Sequence, residues 1–316
     1  MSPHNYSDEQ LRLAARLYYV DGLDQTEVAR FVKVSQAKVS RLLALARERG
    51  IVKITVAEYE PRDGTLEHQV RKAFGLDTVA VIKVQDRAAT EHTRSMVGHF
   101  GAPLVAPLLP KNGIIAVAGG RAMRELVQML PGDPERRLKV VQAMGSIDSS
   151  VGPVDAVELA RAIAGRFGGT FLALNTPAFV PDKRTRDAFQ KLEQVKTIFQ
   201  CLRETQVALV GIGTLENSVF VERGILSVSD LAKIRQRGAV GEICGRFFDR
   251  NGKECDLPWR DRVMSIGLDQ LRKIPQVIGV VAGNDRSKAI AAAIRGKLLK
   301  SLVIDSEGAA DLLKHN

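Results

Sequence analysis

Four glycine-bearing segments of this 316-residue chain hold residues whose types and spacing could do chemistry. Residues 119–123, GGRAM, join an apolar run to a helical pattern. They could present backbone donors at Gly119 and Gly120, together with the Arg121 guanidinium, to an anion at a helix N-terminus; a plain tight turn fits the same letters. Residues 210–214, VGIGT, allow close backbone approach at Gly211 and Gly213 and add the Thr214 hydroxyl. The third glycine of a dinucleotide fingerprint is missing, which argues against a nicotinamide cofactor. Residues 241–249, GEICGRFFD, offer Glu242 as an acceptor for ligand hydroxyls, with Cys244, Phe247 and Phe248 as packing residues. Residues 283–288, GNDRSK, set Lys288 beside the first turn of an alanine-rich helix. An ammonium there adds to the helix-end donors for a phosphate; the alternative is a solvated surface lysine.

These segments need a scaffold, and the pattern supplies one. From residue 65 short apolar runs alternate with amphipathic stretches: DTVAVIKV, a helix over 91–109, GIIAVAGG, a helix over 122–130, KVVQAMG, VDAVELARAIAGRF, VALVGIG, VSDLAKIRQRG, QVIGVVAG, SKAIAAAIRGKLL and SLVID. Repeated strand–helix–strand units predict a Rossmann-like, mostly parallel α/β sheet with helices on both faces. Ligands of such sheets bind beyond the carboxyl ends of strands, so the glycine turns, including Gly145 and Gly283, are expected around one crevice.

The first sixty residues read differently. Residues 7–20 predict a helix with Leu11, Ala14, Ala15, Leu17 and Tyr18 inward, stopped by Asp21 and Gly22. Residues 25–43, QTEVARFVKVSQAKVSRLL, predict two helices clamped across a tight turn, a helix-turn-helix. Thr26 or Asp24 caps the first, Ser35 caps the second, and Lys33 occupies the turn position where glycine is usual. Between residues 30 and 53 seven basic residues face one acid, whereas residues 1–29 hold two arginines and five acids. The positive potential therefore gathers on the second helix, as a phosphate backbone requires. In a major groove its N-terminal residues meet base edges: Gln36 suits adenine, and Lys38 or Arg41 suits guanine. Arg47 and Arg49 reach phosphates. Thr26, Ser35, Gln36, Lys38, Ser40, Arg41 and Arg47 are the expected DNA-contacting residues. An ordinary helical hairpin with a solvated basic face is the competing reading. Residues 51–57 alternate as a strand would, and EPRDG at 60–64 is the expected linker, so the domains are placed at 1–59 and 60–316.

Composition limits the partners. The net charge is +10, which suits a polyanion, although residues 1–60 carry nine basic and eight acidic side chains, so most of the excess lies in the larger domain. Cys201, Cys244 and Cys255 have no paired metal spacing and form no disulfide framework. Neither a metal nor a cofactor is expected. Without an apolar signal core or a run long enough to span a bilayer, the chain is expected in the cytoplasm.

The combination of SQAKVSRLLALARERGIV, VGIGT, GAVGEICGRFFDRNG and IPQVIGVVAGNDRSKAIAAAIRGKLLKSLVID resembles the SorC type of bacterial sugar-binding transcriptional regulators over almost the whole chain. That resemblance implies a DNA-binding module fused to an effector domain related to sugar-phosphate isomerases, assembled as a homo-oligomer, a dimer or usually a tetramer, and answering to a phosphorylated sugar. By the same resemblance Gly120 and Arg121 match the phosphate loop, Glu242 an acid that meets sugar hydroxyls, and Lys288 the phosphate lysine. Ala122 stands where a threonine is common, and Arg121 could compensate by pairing with phosphate oxygens. Gln142, Gly145 and Ser146, at the end of the third expected strand, are further candidates for the effector pocket. The expected function is thus a regulator of a double-stranded operator tuned by a sugar metabolite. The alternative is an isomerase-like enzyme with an accessory DNA module, which would need Glu242, Asp285 and Lys288 at one crevice. No catalytic residue is assigned, because no nucleophile–base pair or paired carboxylates stand out.

Overall fold

The computed structural model describes residues 6–85, 88–216 and 218–316. Two compact units divide the chain, Met1–Tyr59 and Glu60–Asn316.

In the first unit, helix α1 (Asp8–Ala15) starts with a reciprocal capping box between Ser7 and Gln10 and runs on into a π-helical turn, Arg16–Val20. Gly22, at φ 74°, takes the chain out of it. Helices α2 (Gln25–Phe31) and α3 (Gln36–Glu48) follow. Asp24, not Thr26, caps α2: its carboxylate accepts from the Glu27 N–H at 2.8 Å while Glu27 returns a bond to the Asp24 N–H. A carboxylate wins that position because it also complements the positive helix end. Ser35 caps α3 as expected. Leu11, Ala14, Val28, Ala29, Val39, Leu42, Leu43 and Ala46 form the buried core of this unit. Lys33 adopts the left-handed conformation, φ 52°, which the tight turn demands; roughly 1–2 kcal/mol of steric cost is carried by that core. Residues 51–57 form no strand, and Ile54 and Val56 are exposed. Alternation needs a partner ladder to become a strand, and none is present among the described residues.

The second unit is built on strands β1 (Thr78–Ile82), β2 (Asn112–Val117), β3 (Arg137–Gln142), β4 (Thr170–Leu172), β5 (Val207–Val210), β6 (Ala239–Ile243), β7 (Arg246–Asp249), β8 (Gln276–Val280) and β9 (Ser301–Asp305). Its helices are α4 (Gly64–Phe74), α5 (Thr90–Val105), α6 (Arg121–Met129), α7 (Ala156–Arg166), α8 (Lys183–Lys191), α9 (Glu193–Arg203), α10 (Val219–Glu222), α11 (Val228–Gln236), α12 (Leu268–Lys273), α13 (Ser287–Arg295) and α14 (Ser306–Leu313). Seven strands make one parallel sheet in the order β1-β9-β8-β5-β2-β3-β4. The α/β expectation is borne out, including both covered faces. Val79, Val81, Ala208, Val210 and Leu302 pack on one side with residues of α4, α9, α13 and α14. Their neighbours Ala80, Ile82, Val207, Leu209 and Val303 pack on the other with α5, α6 and α7. Period-two alternation sends each strand's side chains to two cores.

Strands β6 and β7 form a separate hairpin. Its two turn residues, Cys244 at φ 52° and Gly245 at φ 76°, both lie in the left-handed region, as a two-residue turn matched to strand twist requires. Cysteine at the first of these hides the turn from a sequence reading.

Candidate functional site

A cavity of about 250 Å³ opens beyond the carboxyl ends of β2, β3, β5 and β8. Strand order reverses between β5 and β2: from β2 the chain builds outward to β4, and from β5 outward through β8 to β9, which pairs with the unit's first strand, β1. Such a switch point leaves a crevice because the two connecting segments depart in opposite directions. Gly119 follows β2, Gly211 follows β5, and a side chain on Gly211 would lie 3.3 Å from the Gly119 carbonyl. The Gly120 N–H donates to the Val154 carbonyl at 2.8 Å, and a Cβ on Gly119 would stand 2.8 Å from that same oxygen. Glycine is therefore required at 119, and at 211 an added Cβ would be a tight fit.

The floor is made by the hairpin. Gly213 and Glu242 exchange two backbone hydrogen bonds of 3.0 Å, pinning β6 to the loop after β5. The Glu242 carboxylate accepts from the Gly245 N–H at 2.8 Å and lines the cavity. Burial pushes its pKa up to about 7, against the opposing effect of that one donor. Cys244, also lining, is pushed up to about 12 by burial and stays a neutral thiol, a packing residue.

The lining is also cationic. Arg94 from α5, Arg121 at the first position of α6, and Arg286 just before α13 all line the cavity, as does Arg223 after α10. Arg121 is paired with Glu222, and Arg286 with Asp285. Arg223 bridges Asp148 at 3.2 Å and Asp155 at 2.9 Å.

Of the residues singled out from sequence, Gly119, Gly120, Arg121, Gln142, Gly145, Ser146, Gly211, Gly213 and Glu242 come together in this lining. Gln142 is 2% exposed, and its amide is committed at both ends, donating to the Met144 carbonyl at 2.7 Å and accepting from the Leu174 N–H at 3.0 Å. It shapes the wall as a strut. Thr214 is buried outside the lining, one residue past the Gly213–Glu242 bridge, where an extended chain turns its side chain away from that of its predecessor. Lys288 is exposed and outside it as well. A short 3₁₀ turn, Asn284–Arg286, precedes α13, so the cation facing the cavity is Arg286 while Lys288 falls on the helix's solvent side, between buried Ser287 and Ala289. Arg94, Arg223, Glu222 and Asp155 belong to no glycine motif and were not legible. In the first unit Thr26, Ser35, Gln36, Lys38, Ser40, Arg41 and Arg47 are all exposed, the last five along one open side of α3.

Comparison with known proteins agrees with this architecture. Residues 62–314 match the Sugar-bind family model, described as "Putative sugar-binding domain". The sorbitol operon regulator of Klebsiella pneumoniae is 31% identical over 95% of this chain and 96% of its own length. The full-length crystal structure of that regulator, SorC, superposes with a TM-score of 0.78 at 30% identity, covering 98% of this chain and 100% of the other. The chain belongs to the SorC-type sugar-binding transcriptional regulators. The deoxyribonucleoside regulator of Bacillus subtilis is a further relative, 28% identical over 95% of this chain and 96% of its own length. As a SorC-type protein it is a regulator rather than an enzyme, and the isomerase alternative gives way to the naming of its relatives as regulators. No helix among the described residues is long and apolar enough to cross a membrane.

Proposed function

We propose that this SorC-type regulator reads its operator with α3 and adjusts that binding when a phosphorylated sugar or polyol occupies the cavity at the β2–β5 switch point, acting as a cytoplasmic homo-oligomer, a dimer or tetramer. The observation that carries the reading is the chemistry of the cavity lining: four arginines and Glu242 around one space fit a ligand with an anionic group and a hydroxylated body. The names of two relatives, the sorbitol operon regulator and the deoxyribonucleoside regulator, support the hydroxylated part of that ligand. Gln36, Lys38, Ser40 and Arg41 are the base-reading candidates; Arg47, farther along α3, reaches phosphate, and Thr26 and Ser35 flank the groove from the helix starts. Effector binding changes operator affinity only through a preference for one arrangement of subunits.

The test is a mobility-shift titration of the full chain on its operator with and without sugar phosphates. A metabolite that changes operator affinity supports the proposal; a chain indifferent to duplex DNA at moderate salt ends it. Arg41→Ala is expected to weaken specific operator binding by about 1–3 kcal/mol, the worth of a bidentate base contact, while nonspecific binding changes little. Equal losses on specific and random duplexes would move Arg41 to the phosphates. Lys288→Ala is expected to leave the effector response intact, because its ammonium lies outside the cavity. A blunted response in the same titration would return Lys288 to the site.

A further inference from the structure

Four arginines line the cavity, and three of them have carboxylate partners: Arg121 with Glu222, Arg223 with Asp148 and Asp155, and Arg286 with Asp285. Arg94 differs. It has no hydrogen bond or ion pair among the described residues, yet it is half-buried in the same lining. Its placement follows from helix packing. Helix α5 crosses α6 at Gly98, where an added Cβ would stand 2.5 Å from the Glu125 backbone, and Ser95 Oγ–H donates to Glu125 at 3.3 Å. Arg94, one turn before Gly98, is thereby held toward the start of α6, which begins at Arg121.

An unpartnered guanidinium beside two others is unfavourable without a counter-charge. Burial holds the Arg94 pKa below the ordinary arginine value, and the neighbouring Arg121 and Arg286 charges act in the same direction, outweighing the opposing Glu91 and Asp285 carboxylates. Arg121 at the first position of α6 and Arg286 immediately before α13 also sit at helix ends that carry positive partial charge. Such excess is stable when an anion of two charges with several acceptor oxygens settles among the three, because guanidinium forks match phosphoryl oxygens.

We infer that Arg94 is an effector-contacting residue, completing with Arg121 and Arg286 a three-arginine subsite for a phosphoryl dianion. This deepens the proposed function by assigning the ligand's anionic group to α5, outside every glycine motif. Arg94 is the one of the three that binds without first giving up an internal carboxylate. It therefore supplies the largest share of anion selectivity over neutral sugars.

Inorganic phosphate is the probe, titrated calorimetrically into the full chain without DNA against a chloride control of equal ionic strength. Wild type is expected to bind phosphate, and Arg94→Gln to bind it at least tenfold more weakly, with Arg94→Lys between them. In phosphate-free buffer Arg94→Gln is expected to melt at or above the wild-type temperature, because a repelling charge has gone. A purely structural role predicts the reverse pattern, a lower melting temperature with phosphate affinity retained, and overturns the inference. So does a wild-type chain that binds no phosphate at tens of millimolar. A change in operator binding caused by inorganic phosphate alone makes free phosphate the occupant. Phosphate binding that leaves the operator untouched assigns the subsite to a sugar-borne phosphoryl group. Because binding is read without DNA, failure here leaves the operator reading standing, and failure of the operator titration leaves the subsite standing.

Discussion

Glu242→Gln is expected to stabilise the protein at pH 8 and to leave it nearly unchanged near pH 4. The carboxyl group titrates near 4.5 when free of the fold and at about 7 in the cavity floor, where burial raises it. Between those values the folded chain keeps a proton that the unfolded chain has released. Stability therefore falls as pH rises through the window from 4.5 to 7, and stays reduced above it. The full interval corresponds to about 3 kcal/mol, of which glutamine, uncharged throughout, loses nothing. Its amide oxygen can still accept from the Gly245 N–H, so the turn is kept. Chemical denaturation at a series of pH values should show the two proteins diverging across that interval. Parallel curves would mean that the carboxyl is solvated at this site. Natural retention of an acid that costs stability at neutral pH is what a ligand-binding group would explain, since hydroxyls supply the donors that the fold withholds.

Gly98→Ala should be a damaging single methyl group at the α5–α6 crossing, costing about 1–3 kcal/mol. The added carbon would stand 2.5 Å from the backbone carbonyl carbon and the Cβ of Glu125 and 2.7 Å from the Leu126 nitrogen. Backbone cannot swing aside as a side-chain tip can, so the two helices must separate. Arg94 rides on one and Arg121 on the other, so phosphate affinity should fall along with the melting temperature. Gly165→Ala is the control: nothing lies within 4 Å of its added Cβ. Equal melting temperatures for the two variants would remove the crossing as the element that spaces the arginines.

Where burial follows a simple period, the sequence announced the structure. The strands β1, β2, β3, β5, β8 and β9 alternate between two cores, and α2 and α3 carry their inward stripe, so sheet and helix-turn-helix were both legible. Helix α8 has no buried residue and hence no stripe to read. Strand β4 is three residues long, too short for a period. The strand pattern at residues 51–57 failed for the opposite reason: it had the period without a ladder. At the cavity the glycines and Glu242 were legible because turns and lone acids stand out. The choice between Lys288 and Arg286 depended on which residue begins α13, a matter of one 3₁₀ turn. Arg94 depended on a helix crossing about which the letters around it say nothing.

The reversal of strand order has a mechanical meaning. Strands β2 and β5 are joined over three register positions, whereas β2 and β3 share six, so the sheet is sewn more lightly where its two halves meet than one strand further on. A molecule lodged there, gripping Arg121 on one half and Arg286 on the other, works as a stitch across a seam. Backbone amides of β5 should then exchange with deuterated water more slowly when the cavity is filled, while those of β3, already tightly sewn, keep their pace.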